Sequence, residues 1–164
     1  MLVSLLVVAL ALAGLSLAVR LYMGRAAEDA LQPGEQVAIK ELRDPLPQNA
    51  FLACPPGYCV ATAAASPVFA MTLEQLAETT RRMLASEPSV FVIESLPETG
   101  RFTLIQHTPL LRFPDIVTIE LVAIAAGQSS LAIYSRSRYG RGDFGTNRRR
   151  VLRWLRQIET VAAQ

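Results

Sequence analysis

Residues 2–19, LVSLLVVALALAGLSLAV, run without a charged side chain, and the first charge is Arg20. A helix of that length is about 27 Å long, close to the hydrocarbon thickness of a bilayer. The pattern predicts a transmembrane anchor over 1–20. A cleaved export signal is the other reading, because Ser16-Leu17-Ala18 offers a small-x-small site. The length of the run and the lack of Lys or Arg before it favour the retained anchor. Residues 21–50 show no sustained apolar period and contain Pro33, Gly34, Pro45 and Pro47, the composition of a linker. A folded domain is expected over 51–164.

Within that domain the apolar period changes three times. From 51 to 70 the chain is apolar but broken by Pro55, Pro56 and Pro67, which predicts an ordered loop with short extended pieces. A helix then starts at Thr72, where Thr72 and Gln75 have the spacing of a capping box. Leu73, Leu76, Thr80, Met83 and Leu84 recur at helical spacing, and Pro88 cannot continue the helix. Four strand-like runs follow at 90–95, 101–108, 116–125 and 130–138. Short links, LPETG at 96–100 and AGQS at 126–129, imply antiparallel hairpins. A last helix is expected over about 144–162, with Val151, Leu155, Ile158 and Ala162 on one face and Trp154 beside them. The fold class is therefore α+β: an antiparallel sheet of about four strands, with two helices on one face and the other face uncovered.

Charge sharpens the picture at one place. The net charge is +2, but residues 135–156 hold eight Arg against a single acid, Asp143, or +7. The rest of the chain carries 2 − 7 = −5. In this segment, SRSRYGRGDFGTNRRR, a strand must turn sharply into the last helix, which Gly140, Gly142 and Gly145 permit. Asp143 is placed to cap that helix. Two uses of the corner stay open. One is a structural clasp, in which Asp143 binds the helix start and Arg136 or Arg138. The other is an anion site made from Ser135, Arg136, Ser137, Arg138, Asn147 and Arg148 at a helix N-terminus. An acidic protein partner or an anionic lipid headgroup would suit the same basic face; no nucleic-acid motif is present. Arg141-Gly142-Asp143 spells an adhesion tripeptide, but a match of that length is frequent by chance.

Only two cysteines occur, Cys54 and Cys59 in CPPGYC, and the prolines and glycine between them can fold the loop into a disulfide. With His107 the only histidine, a structural zinc site lacks ligands, and no metal or cofactor is expected. A disulfide needs an oxidising compartment, whereas Arg20 and Arg25 after the apolar run would by the positive-inside rule hold the domain in the cytoplasm. The cysteines tip the expectation to the periplasmic side of the inner membrane.

The segment SRSRYGRGDFGTNRRRV at 135–151 resembles the signature of the domain-of-unknown-function family 1499. That signature is a Ser-Arg-Ser-Arg strand end, a glycine turn, Asp-x-Gly-x-Asn and an Arg-x-Arg helix start, here Ser135 to Arg138, Gly140, Asp143, Gly145, Asn147, Arg148 and Arg150. LLRFPDIV at 110–117 is similar to the family's Arg-Phe-x-Asp segment, and CPPGYC to its paired cysteines, with Tyr58 where the family often has Asn. The resemblance spans about residues 50–160. It implies a small α+β domain, often behind a membrane-spanning or export segment, and it implies no activity.

No nucleophile–base constellation stands out, so the sequence favours a binding domain over an enzyme. The functions carried forward are an envelope domain that binds a partner protein or anionic ligand through the corner, an accessory subunit of a membrane complex, and a hydrolase-like enzyme using Asp115, Asp143 and His107. Asp115 is otherwise expected to pair with Arg112 or Arg138 as part of the corner.

Overall fold

The computed structural model describes residues 2–28, 37–61, 63–96, 100–109 and 112–163. Its elements are α1 (Leu2–Glu28), a 3₁₀ turn at Ile39–Glu41, β1 (Ala50–Cys54), β2 (Ala64–Ala65), α2 (Leu73–Ser86), β3 (Val90–Leu96), β4 (Arg101–His107), β5 (Pro114–Ala125), β6 (Gln128–Ser137) and α3 (Thr146–Ala162). This is an α+β fold. Among the described residues the sheet has six strands in the order β2-β1-β6-β5-β4-β3, plus an isolated bridge between Phe69 and Ser129. It is mixed, because β1 and β2 run parallel while every other pair is antiparallel.

Three features of the sequence act as expected. Thr72 and Gln75 close the capping box at the start of α2, each side chain bonding the other's backbone N–H. The α2 chain ends at Glu87, just before Pro88. The residues β5 and β6 turn on are few, with Gly127 in the left-handed region at φ 69°. The expected turn at 96–100 lies mostly outside the described residues, which omit 97–99.

One face of the sheet buries the main core. Phe51, Ala53, Phe102, Leu104, Val117, Ile119, Leu121, Leu131 and Ile133 meet Leu76, Met83 and Leu84 of α2 and Val151, Trp154, Leu155 and Ile158 of α3. Both helices thus lie on one face, and strand alternation sends every second residue to them.

Two expectations need correction. The sheet has six strands rather than about four, because residues 51–70 contain β1 and β2; the three prolines lie outside both strands and interrupt the pattern without abolishing the pairing. The second face is also not bare. Leu52, Cys54, Val122, Ala132 and Tyr134 pack there with Ile39 and Ala61, and Val37, Leu42, Leu46, Tyr58 and Cys59 close over them. Part of the expected linker is therefore core, with Ile39 fully buried.

The Cys54–Cys59 disulfide is formed, with the Cα atoms 6.2 Å apart. It holds Tyr58 on this face, where the phenol donates to Glu120 Oε2 at 3.1 Å and Lys40 Nζ stands 4.3 Å from the ring centre. Burial and the adjacent Glu120 charge push the phenol up to about 12.

In α1 the large apolar side chains from Leu5 to Leu21 are exposed. Among the described residues no helix is long and apolar enough to cross a membrane.

Candidate functional site

One end of the sheet gathers the start of β1, β3 and β5 and the finish of β4 and β6, since Val90 pairs with Gln106, His107 with Pro114, Asp115 with Ser137 and Ala50 with Arg136. The N-terminus of α3 closes over it. Arg150, one turn into α3 and 5% exposed, reaches down to the sheet. Its Nη2 bonds Asp115 Oδ2 at 2.5 Å, its Nε bonds Gln106 Oε1 at 2.5 Å, and its Nη1 bonds Ser135 Oγ at 2.9 Å and Asn147 Oδ1 at 2.6 Å. A planar guanidinium with five directed donors suits this position better than a lysine would. Asp115 is 1% exposed, so the pair is an interior ion pair. Its second oxygen, Oδ1, has no hydrogen-bond partner.

Asn147, fully buried, locks the corner to the approach segment. Its amide donates to Asn49 O at 2.9 Å and Ser137 Oγ at 3.1 Å, and its Oδ1 takes a bond from Ser135 Oγ at 2.6 Å. Asn49 in turn donates from Nδ2 to Ser137 O and Gly140 O, and its carbonyl accepts the Ser137 N–H. Asp143 caps the helix start as expected: Oδ1 accepts the Gly145 N–H at 3.0 Å and Oδ2 the Asn147 N–H at 2.7 Å. It is half-buried rather than interior.

The structure divides the six residues of the expected anion cradle. Ser135 and Ser137 face α3 and meet Asn147. Arg136 alternates to the opposite face, beside Tyr134, with its Nε buried and unbonded. Arg138, just past the strand, lies 5.9 Å from the Tyr139 ring. Arg148 is exposed on α3. Gln106 is absent from the sequence reading, and Arg150 enters it only through the family signature, not as a member of the site. The signal for Arg150 was present, since 147, 150, 151, 154, 155 and 158 fall on one helical face.

Beside this buried network runs a groove of about 750 Å³. Arg148, Arg149, Arg150, Arg153 and Arg156 form one bank, and Pro88, Ser89 and His107 contribute to the other. Next to Pro88, the buried Glu87 is gripped through both oxygens by Arg153 at 2.7 and 3.0 Å. Burial raises the Glu87 carboxyl, but Trp154, Arg153 and Gln157 around it outweigh that and hold it below the ordinary range. Arg149 is engaged with Phe144 O and Thr146 Oγ1.

Backbone strain collects at the same end. The non-glycine residues with positive φ among the described residues are Ser89 (58°), Arg112 (55°) and Phe144 (51°), all in loops at this edge. Such conformations cost of order 1 kcal/mol each and cluster at binding sites. Phe144 is also 97% exposed.

The three residues of the hydrolase reading do not form a constellation. Asp115 is committed to Arg150 and Asp143 to the helix cap, and these two line one pocket while His107 lines the groove. His107 is buried with its ring edge-on to Phe91 at 5.4 Å. Among the described residues no group of three His, Cys, Asp or Glu could hold a metal ion.

No curated protein matches the chain in sequence. A family model described as "Protein of unknown function (DUF1499)" matches residues 50–158, which include all six strands, α2 and the buried Arg150–Asp115 pair. The match covers well over half of the chain, and the chain belongs to the DUF1499 family.

Proposed function

We propose that this DUF1499 domain is tethered to the inner membrane by residues 2–19, faces the periplasm, and binds an anionic group of a partner protein or ligand in the arginine groove. The groove carries the reading. Arg150 is neutralised inside by Asp115 and Arg153 by Glu87, but Arg148 and Arg156 on the same helix are exposed, with no partner among the described residues. Partly walled cations act in a lower dielectric than free surface charges, which strengthens their pull on an anion. The tether is supported by the uncharged run in the sequence and by the exposed leucines and valines of α1, which a lipid phase would cover. The periplasmic side is supported by the disulfide, against the two arginines that follow the run.

The test is calorimetric binding of a poly-glutamate peptide, and of phosphatidylglycerol vesicles, to the detergent-solubilised or reconstituted full chain. Saturable binding to either probe that falls at least tenfold in R148S/R156S and weakens with salt is expected. Equal binding by parent and variant overturns the groove reading. A separate measurement, the mass of the mature protein from membranes, overturns the tether if the chain begins near Val19.

One observation favours a second reading, an accessory subunit of a membrane complex. Among the described residues β3 is an edge strand, and it exposes Phe91 (53%), Val92 (49%) and Ile93 (40%). An apolar, unpaired edge invites another strand.

A further inference from the structure

We propose that the turn between β6 and α3, residues 138–145, docks on the bilayer that holds α1, with the Phe144 ring entering the acyl boundary and the arginines around it pairing with anionic lipid headgroups. This docking requires the tether proposed above and is independent of the groove.

Phe144 protrudes from the turn, 97% exposed, and Tyr139 on the same turn is 43% exposed. A lone exposed apolar side chain is ordinary, but this one is held out by its surroundings. Phe144 at φ 51° is followed by Gly145 at φ 74°, two left-handed residues in succession. A bulky residue is strained there. Bonds on both sides hold the strain in place. Asp143 accepts the N–H groups of Gly145 and Asn147, Arg149 Nη1 donates to Phe144 O at 2.8 Å, and Asn49 Nδ2 donates to Gly140 O at 2.7 Å. The ring is thus displayed on a braced turn, and little ordering is left to be done when it meets a surface.

Charge identifies that surface. Residues 138–149 carry Arg138, Arg141, Arg148 and Arg149 against one acid, Asp143, whose carboxylate caps the helix. Arg141 precedes Phe144, Arg148 follows it, and both are exposed. An apolar ring set among guanidinium groups matches the edge of an anionic bilayer, where the ring leaves water and the guanidinium forks meet phosphate oxygens. A second copy of the chain would bring the same positive charge against itself. One ring and a few arginines hold lipid only weakly from free solution. The tether changes that, because α1 contacts β5 and so keeps the folded domain beside its own membrane, at a high effective concentration of headgroups.

The experiment places full-chain F144W in phosphatidylcholine vesicles with and without phosphatidylglycerol, each containing lipid brominated in its acyl chains. The parent carries only the fully buried Trp154 and sets the background. With phosphatidylglycerol, the F144W emission should shift to the blue and be quenched by bromine beyond the parent. Phosphatidylcholine alone, or high salt, should remove both changes. R141S, which lies outside the groove, should weaken docking roughly fivefold. In the parent sequence, trypsin should cut after Arg141 more slowly on phosphatidylglycerol vesicles than on phosphatidylcholine ones, and F144G should remove most of that difference. The proposal is overturned if F144W stays solvent-like and unquenched with phosphatidylglycerol, if quenching is the same without it, or if R141S docks as well as the parent. A blue shift that grows with protein density and shows no bromine quenching also overturns it, in favour of a second copy. An alkaline carbonate wash separates the two readings. A chain that stays with the vesicles yet is unquenched refutes the docking alone, whereas a chain that washes off refutes the tether and the docking with it.

Discussion

Replacing Arg150 by Met should be the most damaging single change in the domain outside the apolar core. The side chain keeps an unbranched apolar stem and loses every donor. Asp115, 1% exposed, is left as an uncompensated buried charge, and Gln106, Ser135 and Asn147 each lose a partner. Removing one member of a buried pair costs about 3–5 kcal/mol. Against a total stability of about 5–15 kcal/mol, that is a large share. It corresponds to a fall in melting temperature of roughly 10–20 °C for a domain of this size. Urea denaturation followed by far-UV circular dichroism gives the free energy directly. The decisive variant is R150M/D115L, in which neither charge remains. It should recover much of the loss, because an apolar pair of similar volume needs no desolvation of charge. The unbonded amide and hydroxyl groups keep it from recovering everything. If R150M melts within a degree or two of the parent, or if the double variant is no better than the single, the pair is not what holds α3 to the sheet.

Asp143→Ala should cost only about 1 kcal/mol, since the carboxylate is half-buried and its described bonds are two backbone N–H groups, and Asp143→Asn should cost less; thermal melts of both decide it. Glu87 is held below its ordinary range, so its contribution to stability is present above the unfolded carboxyl range and disappears as pH falls through the lower folded value. Glu87→Gln should therefore flatten the acid limb of a stability-against-pH curve and leave its slope above neutrality unchanged. Reducing the Cys54–Cys59 bridge, or changing both cysteines to Ser, should cost roughly 2 kcal/mol by the loop-closure estimate, measured as a shift in urea midpoint with and without reductant.

How much of this was legible in the sequence depends on the range of the signal. Local signals worked: the Thr72–Gln75 capping box, the Asp143 cap and the antiparallel hairpin between β5 and β6 depend on residues a few positions apart. β1 was harder, because its partner β6 lies some eighty residues on, and nothing local marks Ala50–Cys54 except a short apolar run. At the corner, period-two alternation already implies that Ser135 and Ser137 share a face that Arg136 cannot. The choice of which pair faced the helix depended on Asn147 and Arg150 being buried, and a run of arginines looks solvated until the helical face is counted. The pocket over Asp115 was not legible, since it brings together residues from 108 to 146 that only the sheet places side by side.

Asn49 precedes the first residue of the family match, yet its side chain and carbonyl tie Ser137, Gly140 and Asn147 together. The limit of shared sequence and the limit of the cooperative unit therefore do not coincide. A chain trimmed to start at residue 50 would retain the six strands, α2 and α3, and lose the keystone that joins the entering segment to a turn almost a hundred residues later. It would also lose Ile39, which is fully buried on the opposite face. Such a fragment would expose the amide of Asn147 and one side of the sheet together, and it is the form in which this domain would be expected to aggregate.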